Sequence, residues 1–165
     1  MSIAFKAMQF AREVHKDQRR KYTNNPYTDH LAEVAGIVAT VFSYDIDPET
    51  MIAVSWLHDC IEDQGVTGQY LFDEFSSDVM NGVVWLSDIE SGNRTQRKRL
   101  SRERLALSPG WVQTIKCADL ISNTSSIVQH DPKFAVTYLE EKRLLLDVLT
   151  KADPRLVEIA RTQTQ

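Results

Sequence analysis

The sequence predicts an all-α protein, an orthogonal helical bundle built as a single domain. Three observations carry that expectation. Apolar residues recur at helical spacing along most of the chain, proline-marked helix starts recur through it, and no stretch sustains the alternation of a strand. With 165 residues, the chain suits one core, since single cores commonly organise about 100 to 200 residues. No repeat, low-complexity tract or long linker divides residues 1–165.

The elements follow in order. Ile3, Ala7, Phe10, Ala11 and Val14 predict an amphipathic helix over about residues 2–18, ending at the basic turn Arg19-Arg20-Lys21. Asn24-Asn25-Pro26 is turn chemistry, after which Leu31, Val34, Ala35, Val38 and Val41 predict a second helix over about residues 30–41, with His30 at its entrance. Asp47-Pro48 couples an N-cap to a proline at the first helical position, and Ser108-Pro109, Asp131-Pro132 and Asp153-Pro154 repeat that grammar. Between these starts, residues 67–75, 78–86 and 93–107 carry helical patterns.

Composition narrows the function classes. A hydrophobic share of 42% and a charged share of 25% are those of a soluble globular protein. No apolar run approaches the ~20 residues of a membrane span, and charges interrupt the opening segment, unlike a secretory signal. A cytoplasmic protein without a membrane partner is expected. Cys60 and Cys117, far apart and without paired-ligand spacing, read as small buried residues of a reducing compartment. A net charge of −4 argues against a broad nucleic-acid surface. The positive charge gathers in two islands, Arg19 to Lys21 and Arg94 to Arg104. Most of the second reads as a solvated face; the first, close in sequence to His30, reads as an anion site.

The chemistry concentrates in MIAVSWLHDCIED, an apolar run that suddenly presents His58, Asp59, Glu62 and Asp63. Read as one continuous helix, it places three carboxylates at a C-terminus, where the dipole prefers cations, and burying them is costly unless they are paired or bind a metal. Positions 58 and 62 then share one face and 59 and 63 the next, an arrangement suited to ligands beside an acid/base pair. A second histidine, His30, lies upstream, and Asp119 interrupts the mainly apolar TIKCADLISN downstream. Alone, Asp119 reads equally as a cap or a buried ion pair; as one of a set, it completes a mixed nitrogen and oxygen site suited to Mn²⁺, Fe²⁺ or Zn²⁺. Such an ion polarises a phosphoryl oxygen and acidifies water, which makes hydrolysis the natural reaction.

The ordered segments QRRKYTNNPYTDH, LHDCIEDQ and KCADLISNTSSI, with FDEFSSDVMNGVVWLSD between the last two, resemble the HD-type hydrolase domain of the Rel/SpoT alarmone enzymes, and especially the stand-alone small alarmone hydrolases. The resemblance runs from the first helix to about Lys142. It implies His30, His58, Asp59 and Asp119 as ligands of a Mn²⁺ ion and Glu62 and Asp63 as the catalytic acidic pair. It also implies Arg20 and Lys21 as phosphate contacts, Asn123 as a sugar and phosphate contact, and Ser126 and Tyr138 as pocket residues. Two positions depart from the long enzymes: Tyr22 stands where they carry serine or an acidic residue, and Leu120 where they carry a basic one. The first bears on base recognition and the second on phosphate contacts. His15 and His130 match no ligand position and are assigned to packing or surface. The expected activity is metal-dependent removal of the 3′-diphosphate from (p)ppGpp or (p)ppApp. The alternatives are a phosphatase acting on NADPH or nucleoside monophosphates, and a catalytically silent nucleotide sensor. The oligomeric state is not written in these motifs.

Overall fold

The computed structural model describes residues 1–165 as ten helices without a strand. They are α1 (Ile3–Val14), α2 (Tyr27–Val38), α3 (Pro48–Leu57), α4 (Cys60–Gln64), α5 (Gly68–Glu74), α6 (Ser77–Leu86), α7 (Arg94–Ala106), α8 (Gly110–His130), α9 (Pro132–Val148) and α10 (Pro154–Thr162). The all-α expectation holds. No helix is long and apolar enough to cross a membrane.

Side-chain oxygens start most of the helices, because the first N–H groups of a helix have no partner within it. Asp47, Asp131 and Asp153 accept backbone N–H groups ahead of the prolines that open α3, α9 and α10. Ser108-Pro109 departs from that grammar. Pro109 itself occupies the cap position of α8 and no side chain bonds there, because the Ser108 hydroxyl donates to the Leu105 carbonyl at 2.6 Å instead. Two other boundaries shift: α1 ends at Val14 rather than near residue 18, and α2 starts at Tyr27, placing His30 inside its first turn.

The larger correction concerns the apolar run expected to be one helix. It breaks at His58 and Asp59, between α3 and α4. The His58 imidazole donates through Nδ1 to the Ser55 carbonyl at 2.7 Å, an oxygen that an uninterrupted helix would offer to the Asp59 N–H. Asp59 then adopts φ −103° and ψ 0°, at the edge of the helical region. Glu62 and Asp63 consequently lie in the first turn of α4, the end at which a carboxylate is favoured.

Helix α3 is buried on nearly all sides, with α1, α2, α6 and α8 packed around it. Helix α8 is the second axis, touching α2, α3, α6, α9 and α10. Between them run Leu31, Val34, Met51, Val54, Leu57, Val112 and Ile115, all free of solvent. Cys60 and Cys117 are unpaired and buried among these side chains, as expected.

Candidate metal centre and nucleotide cleft

Four side chains from three segments meet where α2, α3 and α8 converge. His30 reaches in from the first turn of α2, His58 and Asp59 from the α3–α4 break, and Asp119 from the middle of α8. One donor atom from each lies within 4.8 Å of all the others. Both imidazoles are held from behind: His58 Nδ1 by the Ser55 carbonyl, and His30 Nδ1 by the Ser122 hydroxyl at 2.8 Å. A carbonyl only accepts, so His58 Nδ1 carries a proton. Both Nε2 atoms are buried without an aligned hydrogen-bond partner. They face Asp59 Oδ2 at 3.0 Å from His58 and 3.6 Å from His30, and Asp119 Oδ1 at 3.4 Å and 3.1 Å respectively.

Burial is the strongest influence on each group and disfavours its charged form, yet the mutual attraction of the set outweighs it. Asp119 and Asp59 raise both imidazoles above the ordinary histidine value, His58 well above it. Reciprocally, the imidazoles hold Asp59 far below the carboxylate range, and Lys116, 2.9 Å from Asp119 Oδ2, adds to the same effect on Asp119. Such a set demands positive charge at its centre, supplied by extra protons or by a cation. Two imidazole nitrogens aimed inward with their other nitrogens engaged, plus two carboxylates, are a donor set that could hold a divalent metal. Tyr27, which the sequence reading passed over, donates its hydroxyl to Asp59 Oδ2 at 2.6 Å.

Glu62 and Asp63 flank this cluster and stay open to solvent. The Asp88 N–H donates to Glu62 Oε1 at 2.5 Å. Protein crowded around Glu62, with the charges of Asp88 and Asp59, raises its carboxyl to about 7 against the pull of that N–H. Asp63 is raised as well, first by its surroundings and then by Asp59, and its Oδ2 accepts from Gln18 Nε2 at 3.0 Å.

A cleft of about 380 Å³ opens beside the cluster, lined by Arg20, Lys21, Asn123, Ser126 and Tyr138, with Tyr22 and Phe134 as further aromatic walls. Asn123 donates to Asp119 Oδ1 at 3.0 Å and accepts from Arg20 at 3.3 Å, a continuous chain from cluster to cleft. All the pocket residues expected from sequence therefore gather on one side of the four-group cluster. Tyr138 is half-buried, with its hydroxyl 3.3 Å from Thr124 Oγ1.

A narrower chamber of about 150 Å³ continues past Asp119 and is lined by Lys98, Arg102, Lys116 and Leu120. The second basic island is a solvated face in part: Arg94, Arg97 and Arg99 are exposed, Arg94 forking onto Glu141 at 2.7 and 2.9 Å while lying over the Phe134 ring, whereas Lys98 and Arg102 are half-buried and line the chamber. Leu120 itself is buried, and the basic groups around the same chamber come from α7 and from Lys116. The spacing of Lys116 to Asp119, one helical turn, is a signal in the sequence that could have singled out that lysine. Lys98 and Arg102 carry no such mark. His15 is buried against Tyr27, and His130 is exposed and stacked near Tyr22, as assigned.

Known proteins resemble this chain in sequence and fold. The HD domain family matches residues 7–108, more than half of the chain. A guanosine-3′,5′-bis(diphosphate) 3′-pyrophosphohydrolase MESH1 from Xenopus tropicalis is 29% identical over 133 residues, covering 80% of this chain and 73% of the relative. The Drosophila melanogaster protein of the same name is 30% identical over 126 residues, covering 76% and 69%. A solved structure from work on a metazoan ortholog of SpoT, described as hydrolysing ppGpp and playing a role in starvation responses, matches with a TM-score of 0.87. Its sequence identity is 25%, with 99% of this chain and 94% of that one covered. By the span of the family match and the coverage of the Drosophila relative, the chain belongs to the HD-domain family.

Proposed function

We propose that this protein is a metal-dependent pyrophosphohydrolase that removes the 3′-diphosphate from a nucleoside bearing diphosphates at both the 3′ and 5′ positions. One observation carries the reading: two inward-facing imidazole nitrogens and two carboxylates converge beside a basic cleft large enough for a nucleotide. The named activities of the MESH1 relatives and of the metazoan SpoT ortholog support the same reaction.

His30, His58, Asp59 and Asp119 would hold the ion, and Mn²⁺ is the ion we assign. When bound, it supplies Lewis acidity toward a phosphoryl oxygen and toward water. The protein's own groups do the rest. Arg20 and Lys21 at the cleft and Lys98, Arg102 and Lys116 in the chamber neutralise the diphosphates. Asn123, tied to both Arg20 and Asp119, sets the sugar against the cluster. Asp63 and Glu62 orient the attacking water, accept its proton and return one to the departing oxygen, and a carboxyl raised to about 7 in Glu62 suits proton exchange near neutral pH.

The base site favours breadth. The Tyr22 hydroxyl is committed to Asp131 Oδ2 at 2.9 Å, so Tyr22 presents a ring to the cleft instead of a free hydrogen-bonding group. A ring face accepts adenine as readily as guanine, so both ppGpp and ppApp are assigned as substrates.

The test is a product analysis of the purified protein with Mn²⁺ and ppGpp, ppApp or NADPH. Release of pyrophosphate from the first two supports the proposal, whereas inorganic phosphate from NADPH alone would replace it with the phosphatase alternative. Asp59→Ala is expected to lose bound metal and turnover together. Glu62→Gln is expected to keep the metal and lose about 10²- to 10⁴-fold in kcat, the usual range for general acid–base groups.

A further inference from the structure

Gln18 lies in the loop after α1, outside every role assigned so far, yet its side chain joins three hydrogen bonds. Its Oε1 lies 2.6 Å from His15 Nδ1 and accepts from Gln64 Nε2 at 2.8 Å, while its Nε2 donates to Asp63 Oδ2 at 3.0 Å. The main chain is pinned as well: the Gln18 N–H donates to the His15 carbonyl at 3.0 Å, and the Gln18 carbonyl accepts the Tyr27 N–H at 2.9 Å.

These contacts permit one orientation of the amide. Turning it over would place the Gln18 carbonyl against the Asp63 carboxylate, two acceptors facing each other. It would also require His15 to carry its proton on Nε2, a buried atom with no partner, in place of the Nδ1 that Gln18 satisfies. The same His15 ring stacks on Tyr27 at 5.4 Å, and Tyr27 donates to Asp59. One buried imidazole thus braces two arms that end on Asp63 and on Asp59.

We propose that Gln18 is a positioning residue for Asp63, its amide held in one orientation by His15 and Gln64 so that one carboxylate oxygen is fixed and the other is left for water. The proposal rests on the reading of Asp63 as half of the acid/base pair. Its energetic logic is geometric: an exposed carboxylate free to rotate spends most of its time misaligned, and small misplacements near a reacting atom lower rates by up to about a hundredfold.

The experiment compares wild type, Gln18→Leu, Asp63→Ala and the double variant, each loaded with Mn²⁺ and assayed with ppGpp. Gln18→Leu should lower kcat about 10- to 100-fold, with KM within about threefold and metal content unchanged. In the Asp63→Ala background the same substitution should cost nothing further, since the group it positions is gone. An equal loss in both backgrounds, or a loss expressed in KM or metal content, overturns the proposal in favour of a general structural role. Full activity in Gln18→Leu overturns it outright, and full activity in Asp63→Ala instead overturns the underlying reading of Asp63. Should Gln18→Leu fold poorly, Gln18→Glu keeps an acceptor for His15 and Gln64 but sets a carboxylate against Asp63, and the same loss of kcat is expected.

Discussion

Lys142 is an amine buried to 1% exposure with no carboxylate in ion-pair contact. Its ammonium is met by the Thr124 hydroxyl and the Gln163 side-chain carbonyl, each at 2.7 Å. Burial lowers its pKa to about 8, against 10.5 for a free lysine; Cys117, the charge that opposes this, is itself pushed up to about 12 and so stays neutral over most of the range. Between pH 8 and 10.5 the unfolded chain therefore binds a proton that the folded one does not, so this group's contribution to stability rises with pH across that window. Below pH 8 both states are charged and the cost of burying the cation is borne in full. Lys142→Met should melt at a higher temperature than wild type at pH 7, because it removes a buried cation whose desolvation no carboxylate offsets. The advantage should shrink as pH approaches 10. A difference in melting temperature that stays constant from pH 7 to 10 would mean that Lys142 is not the titrating group.

Packing of whole elements depends on where side chains are missing. At Gly82 in α6 an added Cβ would lie 2.5 Å from Trp111 Cη2 in α8 and 2.9 Å from Val54 Cγ2 in α3. Both neighbours are core residues, so Gly82→Ala is expected to destabilise by about 1–3 kcal/mol through overpacking. Gly36, in the exposed face of α2 with nothing within 4 Å of its added Cβ, should instead gain about 0.5–1 kcal/mol as alanine. Denaturant melts of the two variants give opposite signs if α6 is wedged as described. Helix starts such as Asp47-Pro48 were legible because capping is local chemistry, settled within four residues. The break at His58 and Asp59 was not, since apolar residues continue on both sides and only the bond from the imidazole to Ser55 interrupts the ladder. The same distinction divides the site. His30, His58, Asp59 and Asp119 stand out in sequence as polar groups in apolar segments, whereas Gln18 and Tyr27 become visible only when the loop after α1 is folded against α4 and α2.

At the scale of the molecule, the four-group cluster ties α2, the α3–α4 break and α8 together across the centre of the bundle. A ligand that binds only the folded state stabilises it by mass action, about 2.7 kcal/mol at a hundredfold excess over its Kd, so a divalent ion here acts on the whole fold. The sign of its pH dependence follows from the cluster. In the metal-free protein the raised His30 and His58 contribute stability that is complete below the ordinary histidine pKa and lost as pH climbs through their folded values. The depressed Asp59 and Asp119 contribute stability that is present above the ordinary carboxylate pKa and lost only as pH falls through their lower folded values. Without an ion, protons on the imidazoles thus hold the cluster together in mildly acidic solution, and that support drains away toward alkaline pH. Metal binding needs those imidazoles deprotonated and strengthens over the same interval. The gap in melting temperature between Mn²⁺-loaded and chelator-treated protein should accordingly be narrow below the ordinary histidine pKa and widen as pH climbs through the raised folded values of His30 and His58. A gap that is flat or closes with rising pH would place any bound ion away from His30 and His58, and an Asp119→Asn variant, which removes one charge from the cluster, should flatten it in just that way.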